Sequence, residues 1–220
     1  MSLSKVLELA RADLGYTENP PGSNRTKYWE AYDPKMQGQP WCCSFLWWVF
    51  NNAGERMAFF GGGRTASCGT LLRWYREQGL VVDVADIQAG DIVLLNFHGG
   101  KDPEHCGLVA EVLGNGWYIQ TIEGNTTNTD KNTSNDSNGG CVAAKTRYPS
   151  QIIGVCRPQY KPEEPEKIDD ITGHWAEKAI RRCMERGLLK GYPDGSFGPD
   201  KPVTRAELAV ILDRMEDDGK

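Results

Sequence analysis

The stretch that decides the fold is QPWCCSFLWWVFNNAG, residues 39–54. Apolar residues fall on most faces of this segment, so the spacing predicts a buried helix over residues 40–52. Cys42 lies in the first turn of that helix. The unpaired N–H groups at a helix N-terminus carry partial positive charge, which stabilises a thiolate and favours its nucleophilic form. The same N–H groups can donate to an oxyanion on an attacked carbonyl.

Other interpretations of the paired cysteines stay open at this point. Cys42 and Cys43 can both be small apolar residues of a core, as cysteines often are. A metal site is a further interpretation, but paired zinc ligands usually have about two to four residues between them, and these two are adjacent. We therefore expect neither cysteine to be a metal ligand, and no cofactor. The loop ENPPGSN, residues 18–24, lacks the aspartate-rich pattern of a calcium-binding loop, so we also expect no required metal.

The flanking residues predict more helices and then a sheet. Helical spacing runs over residues 3–14 and 67–78, and Asn24 is a candidate cap for a short helix that ends at Tyr32. After Gly90 the pattern changes to strands, predicted at 92–96, 105–113, 117–123, 141–146 and 152–156. Asn115-Gly116 indicates a tight hairpin, and residues 124–140 form a polar loop. Helices followed by an antiparallel sheet predict an α+β domain.

A second chemical motif is DPEHCGLVAEVLGNGWYIQTIEGNT, residues 102–126. Because side chains alternate in a strand, His105 faces away from Cys106, and the predicted hairpin brings Glu123 or Asn125 to its level. A carboxylate or amide beside an imidazole orients it as a general base. The alternative for His105 is a solvated strand end, and the rival base is His98.

Composition excludes several classes of protein. The chain has 220 residues, a net charge of −5 and 39% hydrophobic residues, which indicates a globular protein without a basic face for nucleic acid. The longest apolar run is shorter than the roughly 20 residues that a membrane span needs. The N-terminus has no apolar core typical of a signal peptide, so we expect a cytoplasmic phase before any release. Seven cysteines without such a signal argue against a disulfide scaffold.

These motifs resemble those of the CHAP domains, which are cysteine- and histidine-dependent amidohydrolases/peptidases of the papain-like NlpC group. The matching stretches are GYTENPPGSNRTKYWEAY, PWCCSFLWWV, AGDIVLL, EHCGLVAEV and TIEGNT. The resemblance implies a papain-like domain in which Cys42 is the nucleophile, His105 the base, Glu123 its orienting partner and Asn125 a nearby polar residue. It implies Trp41 as a substrate-contacting residue and peptidoglycan as the substrate, cut at an amide bond.

The C-terminal quarter of the chain has a sequence pattern different from that of the preceding α+β domain. Three prolines in RPQYKPEEPEK predict an extended spacer, so we divide the chain into a catalytic domain at 1–157, a linker at 158–167 and a small module at 168–220. Residues 174–189 are amphipathic. Thr204 and Glu207 predict a capping box, which by itself explains the TRAE motif as a helix start. Arg205 at that start would suit an anionic ligand.

This module resembles the S-layer homology (SLH) modules through DITGHWAEKAI, GYPDGSF and TRAE. The resemblance implies a small all-α module that anchors the protein to an anionic secondary cell-wall polymer. Arg205 would bind a polymer carboxylate, and Trp175 and Gly191 would shape the pocket. Such modules usually occur in threes, so the single copy implies either weak affinity or self-association.

Together the parts predict a peptidoglycan hydrolase of the endolysin type, made in a host cytoplasm and acting on the cell wall after lysis. It would be an N-acetylmuramoyl-L-alanine amidase or an endopeptidase, and the sequence does not distinguish the two. Two alternatives stay open: a non-catalytic wall-binding protein with an inactive hydrolase domain, and a wall-remodelling enzyme of the host. No nucleic acid and no membrane is expected as a partner.

Overall fold

The computed structural model describes residues 3–114, 118–128, 138–162, 169–192 and 194–217. Five helices come first in the chain. Their buried residues lie on the faces that meet the sheet or one another, as amphipathic spacing requires. They are α1 (Leu3–Ala12), α2 (Lys27–Tyr32), α3 (Cys42–Asn52), α4 (Arg56–Phe60) and α5 (Cys68–Glu77).

An antiparallel sheet of six strands follows, in the order β1-β6-β2-β3-β4-β5. The predicted α+β class is confirmed, with the N-terminal helices packed against an antiparallel sheet. The ladder between β3 and β4 shifts register between Val109 and Glu111. The predicted turn at Asn115-Gly116 and residues 129–137 of the predicted loop lie outside the described residues. The strands are β1 (Val81–Val82), β2 (Ile92–Leu95), β3 (His105–Leu113), β4 (Tyr118–Thr126), β5 (Cys141–Arg147) and β6 (Ile152–Cys156).

Helix α3 forms the centre of the core. Eight of its eleven residues are buried, because helices pack on one side of it and strands β3 and β4 on the other. Phe45 packs directly over Gly124 of β4, where a Cβ atom would come within 2.5 Å of the phenylalanine Cβ. The start of α3 is thereby held against the strands that carry His105 and Glu123.

Two local predictions need correction. Thr26, not Asn24, caps α2: its hydroxyl accepts a hydrogen bond from the Trp29 N–H at 3.2 Å, whereas Asn24 stands two residues earlier with a φ of 53°. Helix α4 and the short edge strand β1 are additional elements, too short to produce a periodic pattern in the sequence.

The chain divides into two compact units, residues 1–163 and 164–220. The division falls inside the predicted linker, but Tyr160 belongs to the first unit, because its ring stacks on Phe50 and its hydroxyl donates to the Gly90 carbonyl at 2.6 Å. Residues 163–168, which include the rest of the predicted linker, lie outside the described residues.

The second unit contains helices α6 (Glu177–Glu185) and α7 (Arg205–Asp217). Ile180 and Leu188 are buried, as the amphipathic pattern predicts. The capping box is confirmed at the start of α7: the Thr204 N–H donates to Glu207 at 2.7 Å, and the Glu207 N–H donates to the Thr204 hydroxyl at 3.2 Å. Among the described residues, no helix is both long and apolar enough to cross a bilayer.

Candidate active site

Cys42 is the first residue of α3, and Trp41 occupies the cap position before it. Trp41 is completely buried, stacks on Tyr28 and donates its indole N–H to Glu18 at 2.9 Å. The sequence-based role of Trp41 as a substrate contact therefore needs correction: a side chain with no exposed surface holds the start of α3 in place and offers no face to a ligand.

His105 begins β3 and is fully buried, so it is not a solvated strand end. Its Nε2 lies 3.1 Å from Oε2 of Glu123 on the neighbouring strand. Nδ1 of His105 has no nitrogen or oxygen partner among the described residues. Cys42 interacts with the same imidazole, so His105 lies between a thiol and a carboxylate.

Arg147 at the end of β5 is a further member of the site that the sequence did not reveal. Its Nε and Nη2 donate to the two carboxylate oxygens of Glu123 at 2.7 and 2.5 Å, and both side chains are completely buried. The Thr121 hydroxyl donates to the same carboxylate at 2.6 Å. The strand sequence CVAAKTR contains a second cation, Lys145, so no pattern within β5 distinguishes Arg147 as the partner of Glu123.

Gly107 explains why the carboxylate fits beside the histidine. A Cβ atom at this position would approach the Glu123 side chain to 2.8 Å at Cγ and 3.2 Å at Oε1. The absence of a side chain on β3 therefore leaves the space that Glu123 fills on its way to His105.

The electrostatics of Glu123 and His105 are strongly coupled. Burial alone would raise the pKa of Glu123, but hydrogen bonds from Arg147 and His105 lower it to about 2. Burial alone would lower the pKa of His105, but its hydrogen bonds to Cys42 and Glu123 raise it to about 10. At neutral pH the pair is therefore a carboxylate and an imidazolium.

Cys42 is the thiol of the site whose ionisation the surroundings favour. Hydrogen bonds from the thiols of Cys106, Cys43 and Cys68 lower the pKa of Cys42 well below the usual value for cysteine, against the opposing effect of burial. The pKa of Cys43 is raised instead, because hydrogen bonding to Cys42 and Cys68 and burial outweigh a lowering contribution from Cys106. Of the two adjacent cysteines, Cys42 is the one suited to nucleophilic attack.

Four cysteines converge at this point. The sulfur atoms of Cys42, Cys43, Cys68 and Cys106 all lie within 4.8 Å of one another, and all four residues are buried. All four are free thiols. They are the group of side chains in the described residues whose donor atoms could hold a metal ion.

The other predicted site residues of the first unit make contacts with different partners. Asn125 is buried on β4 with a φ of 60° and donates its amide to Asn138 at 3.2 Å. His98 lies on an exposed loop, where its Nδ1 is 2.9 Å from a carboxylate oxygen of Glu104. A cavity of about 530 Å³ runs beside α2 and is lined by residues such as Tyr16 and Glu30, but Cys42 does not line it.

In the second unit, one of the three predicted wall-binding residues lines a groove. Gly191 lines a groove of about 620 Å³ together with Leu188 and residues of α7. A Cβ atom on Gly191 would come within 2.7 Å of the Ser196 carbonyl. Trp175 is 90% exposed, and Arg205 is exposed at the first position of α7; neither lines the groove.

Comparison with protein families gives two matches. Residues 34–125 match the CHAP domain, and residues 167–209 match the S-layer homology domain. The first match contains Cys42, His105, Glu123 and Asn125, and the second contains Trp175, Gly191 and Arg205. The chain thus carries a CHAP domain followed by an SLH domain.

Two curated relatives each match about a third of this chain. Outer membrane protein SlpA of Deinococcus radiodurans is 43% identical over 78 residues, which is 36% of this chain and 6% of that protein. S-layer protein EA1 of Bacillus anthracis is 42% identical over 75 residues, 34% of this chain and 8% of that protein. The chain thus spans less than a tenth of the length of these two relatives.

Among solved structures, the wild-type endolysin LysIME-EF1 aligns with a TM-score of 0.47 and 18% identity, over 74% of this chain and 66% of that one. Ly7917 aligns with a TM-score of 0.42 and 18% identity, over 72% and 63% of the two chains.

Proposed function

We propose that this protein is a peptidoglycan hydrolase that cuts an amide bond in the peptide part of the bacterial cell wall with Cys42 as nucleophile. The observation that carries the proposal is the series of contacts from Cys42 through His105 and Glu123 to Arg147. The first three of these residues lie in the segment that matches the CHAP domain. A thiolate beside an oriented imidazolium is the arrangement that thiol hydrolases use for acyl transfer.

The chemistry follows from these positions. The Cys42 thiolate attacks the amide carbonyl carbon, and the first N–H groups of α3 stabilise the negative charge that forms on the oxygen. His105 gives its proton to the leaving nitrogen as the C–N bond breaks, which leaves a thioester on Cys42. His105 then takes a proton from water, whose oxygen attacks the thioester and releases the free thiolate. Glu123 stays ionised throughout and holds the imidazole.

The second unit supports a role at the cell surface. Its SLH domain aligns with S-layer and outer membrane proteins, and we propose that it binds an anionic secondary wall polymer. Tethering a hydrolase to its polymer raises the local concentration of enzyme at the substrate. The proposed order of events in an endolysin is production in a host cytoplasm followed by action on the wall.

The test is digestion of purified Gram-positive peptidoglycan by the wild-type protein and by Cys42→Ala, with fragments identified by mass spectrometry. We expect new ends with the wild type and at least a 10³-fold slower release with the variant, because the nucleophile is gone. The position of the new ends distinguishes an amidase from an endopeptidase. Cys156→Ala is the matched control, since Cys156 is a buried cysteine on β6 outside the site.

Two results would contradict the mechanism. Undiminished cleavage by Cys42→Ala would move the nucleophile to Cys43 or overturn the thiol mechanism. No cleavage by the wild type on several wall types, combined with retained wall binding, would support the non-catalytic wall-binding alternative.

A further inference from the structure

The feature that the hydrolase chemistry leaves unexplained is the number of thiols at Cys42. One cysteine suffices as a nucleophile, yet four are gathered there from three separate elements. Cys42 and Cys43 are the first two residues of α3, Cys68 is the first residue of α5, and Cys106 is the second residue of β3. We call Cys42, Cys43, Cys68 and Cys106 the four-cysteine cluster.

The distances in this cluster match those around a single metal ion. The sulfur of Cys68 lies 3.7 Å from that of Cys42 and 3.4 Å from that of Cys43, and Cys43 lies 3.6 Å from Cys106. A tetrahedral Zn²⁺ ion with Zn–S bonds of about 2.3 Å separates its sulfur ligands by roughly 3.8 Å. No sulfur atom needs to move by more than a few tenths of an ångström along these three edges.

The four sulfur donors determine which kind of metal ion the cluster would bind. Four sulfur ligands in tetrahedral order select zinc-like, thiophilic cations over magnesium or calcium, which prefer oxygen. An iron–sulfur cluster would need some cysteine sulfurs further apart than 4.8 Å, because metals and sulfides lie between them. The arrangement therefore suits one ion.

The surroundings compensate the negative charge of the ligands. Cys42 and Cys43 are the first two residues of α3, an eleven-residue helix, and Cys68 is the first residue of α5, a ten-residue helix. The N-termini of both helices therefore meet at the cluster and direct partial positive charge toward it. The cysteines are also buried, so water does not compete for the ion.

We propose that the four-cysteine cluster binds one Zn²⁺ ion. The ion binds the Cys42 thiolate and displaces the protons of the other three thiols to solvent, which gives four Zn–S bonds. If Cys42 is the nucleophile, as the proposed function holds, its lone pair is then engaged by the metal. The zinc-loaded protein is consequently inactive, and removal of the ion restores the thiolate. Zinc would act here as a reversible block on the site and not as a catalyst.

The binding test uses the full-length reduced protein under anaerobic conditions, with Co²⁺ as the spectroscopic probe and Zn²⁺ as competitor. We expect an intense sulfur-to-cobalt charge-transfer band and tetrahedral visible bands that saturate at one equivalent, and one equivalent of Zn²⁺ should abolish them. In Cys68→Ala and in Cys106→Ala the affinity for Co²⁺ should fall at least about 10-fold. Changes to the surroundings of a metal site lower metal affinity by a similar factor. The double variant, Cys68→Ala with Cys106→Ala, should show neither the charge-transfer band nor the tetrahedral bands.

Cys156→Ala and Cys183→Ala are the matched controls, since neither residue belongs to the cluster. Both should keep the wild-type spectrum. Near-ultraviolet circular dichroism of each variant shows whether it is folded, and Zn²⁺ should raise the melting temperature of the wild type but not of the folded double variant. Absence of the charge-transfer band in the wild type, or an equal band in the folded double variant, would overturn the proposal.

A separate assay distinguishes this proposal from the proposed function. Wall cleavage is measured with the metal-free protein, after addition of one equivalent of Zn²⁺, and after its removal by a chelator. If the cobalt bands form but the metal-free protein does not cleave the wall, the zinc site is supported and the hydrolase proposal is contradicted. Cleavage that one equivalent of Zn²⁺ leaves unchanged would overturn the block at Cys42.

Discussion

At the scale of single residues, the acid–base pair depends on Arg147. Two hydrogen bonds from its guanidinium neutralise Glu123 in a completely buried position, and Glu123 in turn holds His105. A buried carboxylate without a cation would take up a proton, and a neutral carboxyl group cannot stabilise an imidazolium by its charge. We therefore regard Arg147 as a positioning residue that acts through Glu123.

The prediction for this residue is that Arg147→Met destabilises the protein by about 3–5 kcal/mol, because one partner of a buried ion pair is removed. Arg157→Met is the matched control, since Arg157 pairs with Asp91 at 2.9 Å but is 26% exposed. Arg157→Met should lower the free energy of unfolding by less than Arg147→Met does. Urea unfolding followed by near-ultraviolet circular dichroism measures both variants, and equal losses would contradict the special role of Arg147.

The pKa values of Glu123 and His105 predict how stability changes with pH. The pKa of Glu123 is lowered from 4.5 to about 2, so its contribution is full above pH 4.5 and is lost as the pH falls toward 2. The pKa of His105 is raised from 6.5 to about 10, so its contribution is full below pH 6.5 and is lost as the pH rises through 10.

The measurement is the urea midpoint of the wild type and of Glu123→Gln from pH 2 to pH 11. The wild type should be most stable between pH 4.5 and 6.5. Its advantage over the variant should shrink on the acid side and on the alkaline side of that window. Two parallel curves would mean that the Glu123 carboxylate does not contribute to the pH dependence of stability in the folded protein.

At the scale of elements, the site depends on how closely β3 and β4 approach. Gly107 on β3 has no side chain, and the Glu123 side chain of β4 occupies the space this leaves. The register shift after Val109 lies next to this contact. The geometry of two strands therefore decides which polar residue of β4 reaches His105.

The corresponding prediction is that Gly107→Ala impairs activity without abolishing the fold. The new methyl group would press on Glu123, at a cost of about 1–3 kcal/mol, and should slow wall cleavage at least about 10-fold. Gly69→Ala is the control, since its nearest neighbour, the Ser67 hydroxyl, lies 3.8 Å from the added atom. Unchanged cleavage by Gly107→Ala would show that the carboxylate position tolerates displacement.

At the scale of the whole molecule, the proposed function assigns cutting to the first unit and anchoring to the second. The chain has a net charge of −5, so it is not drawn as a whole to an anionic wall polymer. Binding to such a polymer must rest on local groups. Arg205 is an exposed cation at the N-terminus of α7, where an anion also interacts favourably with the helix dipole.

The prediction for anchoring compares two neighbouring residues in the Cys42→Ala background, which leaves the wall intact. Arg205→Ala should reduce the fraction of protein that sediments with purified walls at least about 10-fold, with little loss of stability. Thr204→Ala should cost about 1 kcal/mol through the lost cap and keep wall binding below its melting temperature. If Arg205→Ala and the Cys42→Ala parent sediment equally with the walls, the TRAE motif acts only as a helix cap.

Much of the architecture could be predicted because it depends on local patterns. Strands β3 and β6 have the predicted bounds, and α3 begins two residues later than predicted, at Cys42. Periodicity of apolar residues determines such elements directly. The sequence does not identify the cap of α2, because Asn24 and Thr26 are both good capping residues and only the backbone conformation distinguishes them.

The sequence by itself determined that Cys42 opens a buried helix and that Glu123 or Asn125 lies near His105, because helix phase and strand alternation are local properties. Only the tertiary structure decided that Glu123 is the partner of His105, that Arg147 neutralises it, and that Cys68 and Cys106 join the paired cysteines. These contacts connect residues 18 to 63 positions apart in the chain. No local pattern encodes such pairs; the packing of α3 and α5 against the sheet creates them.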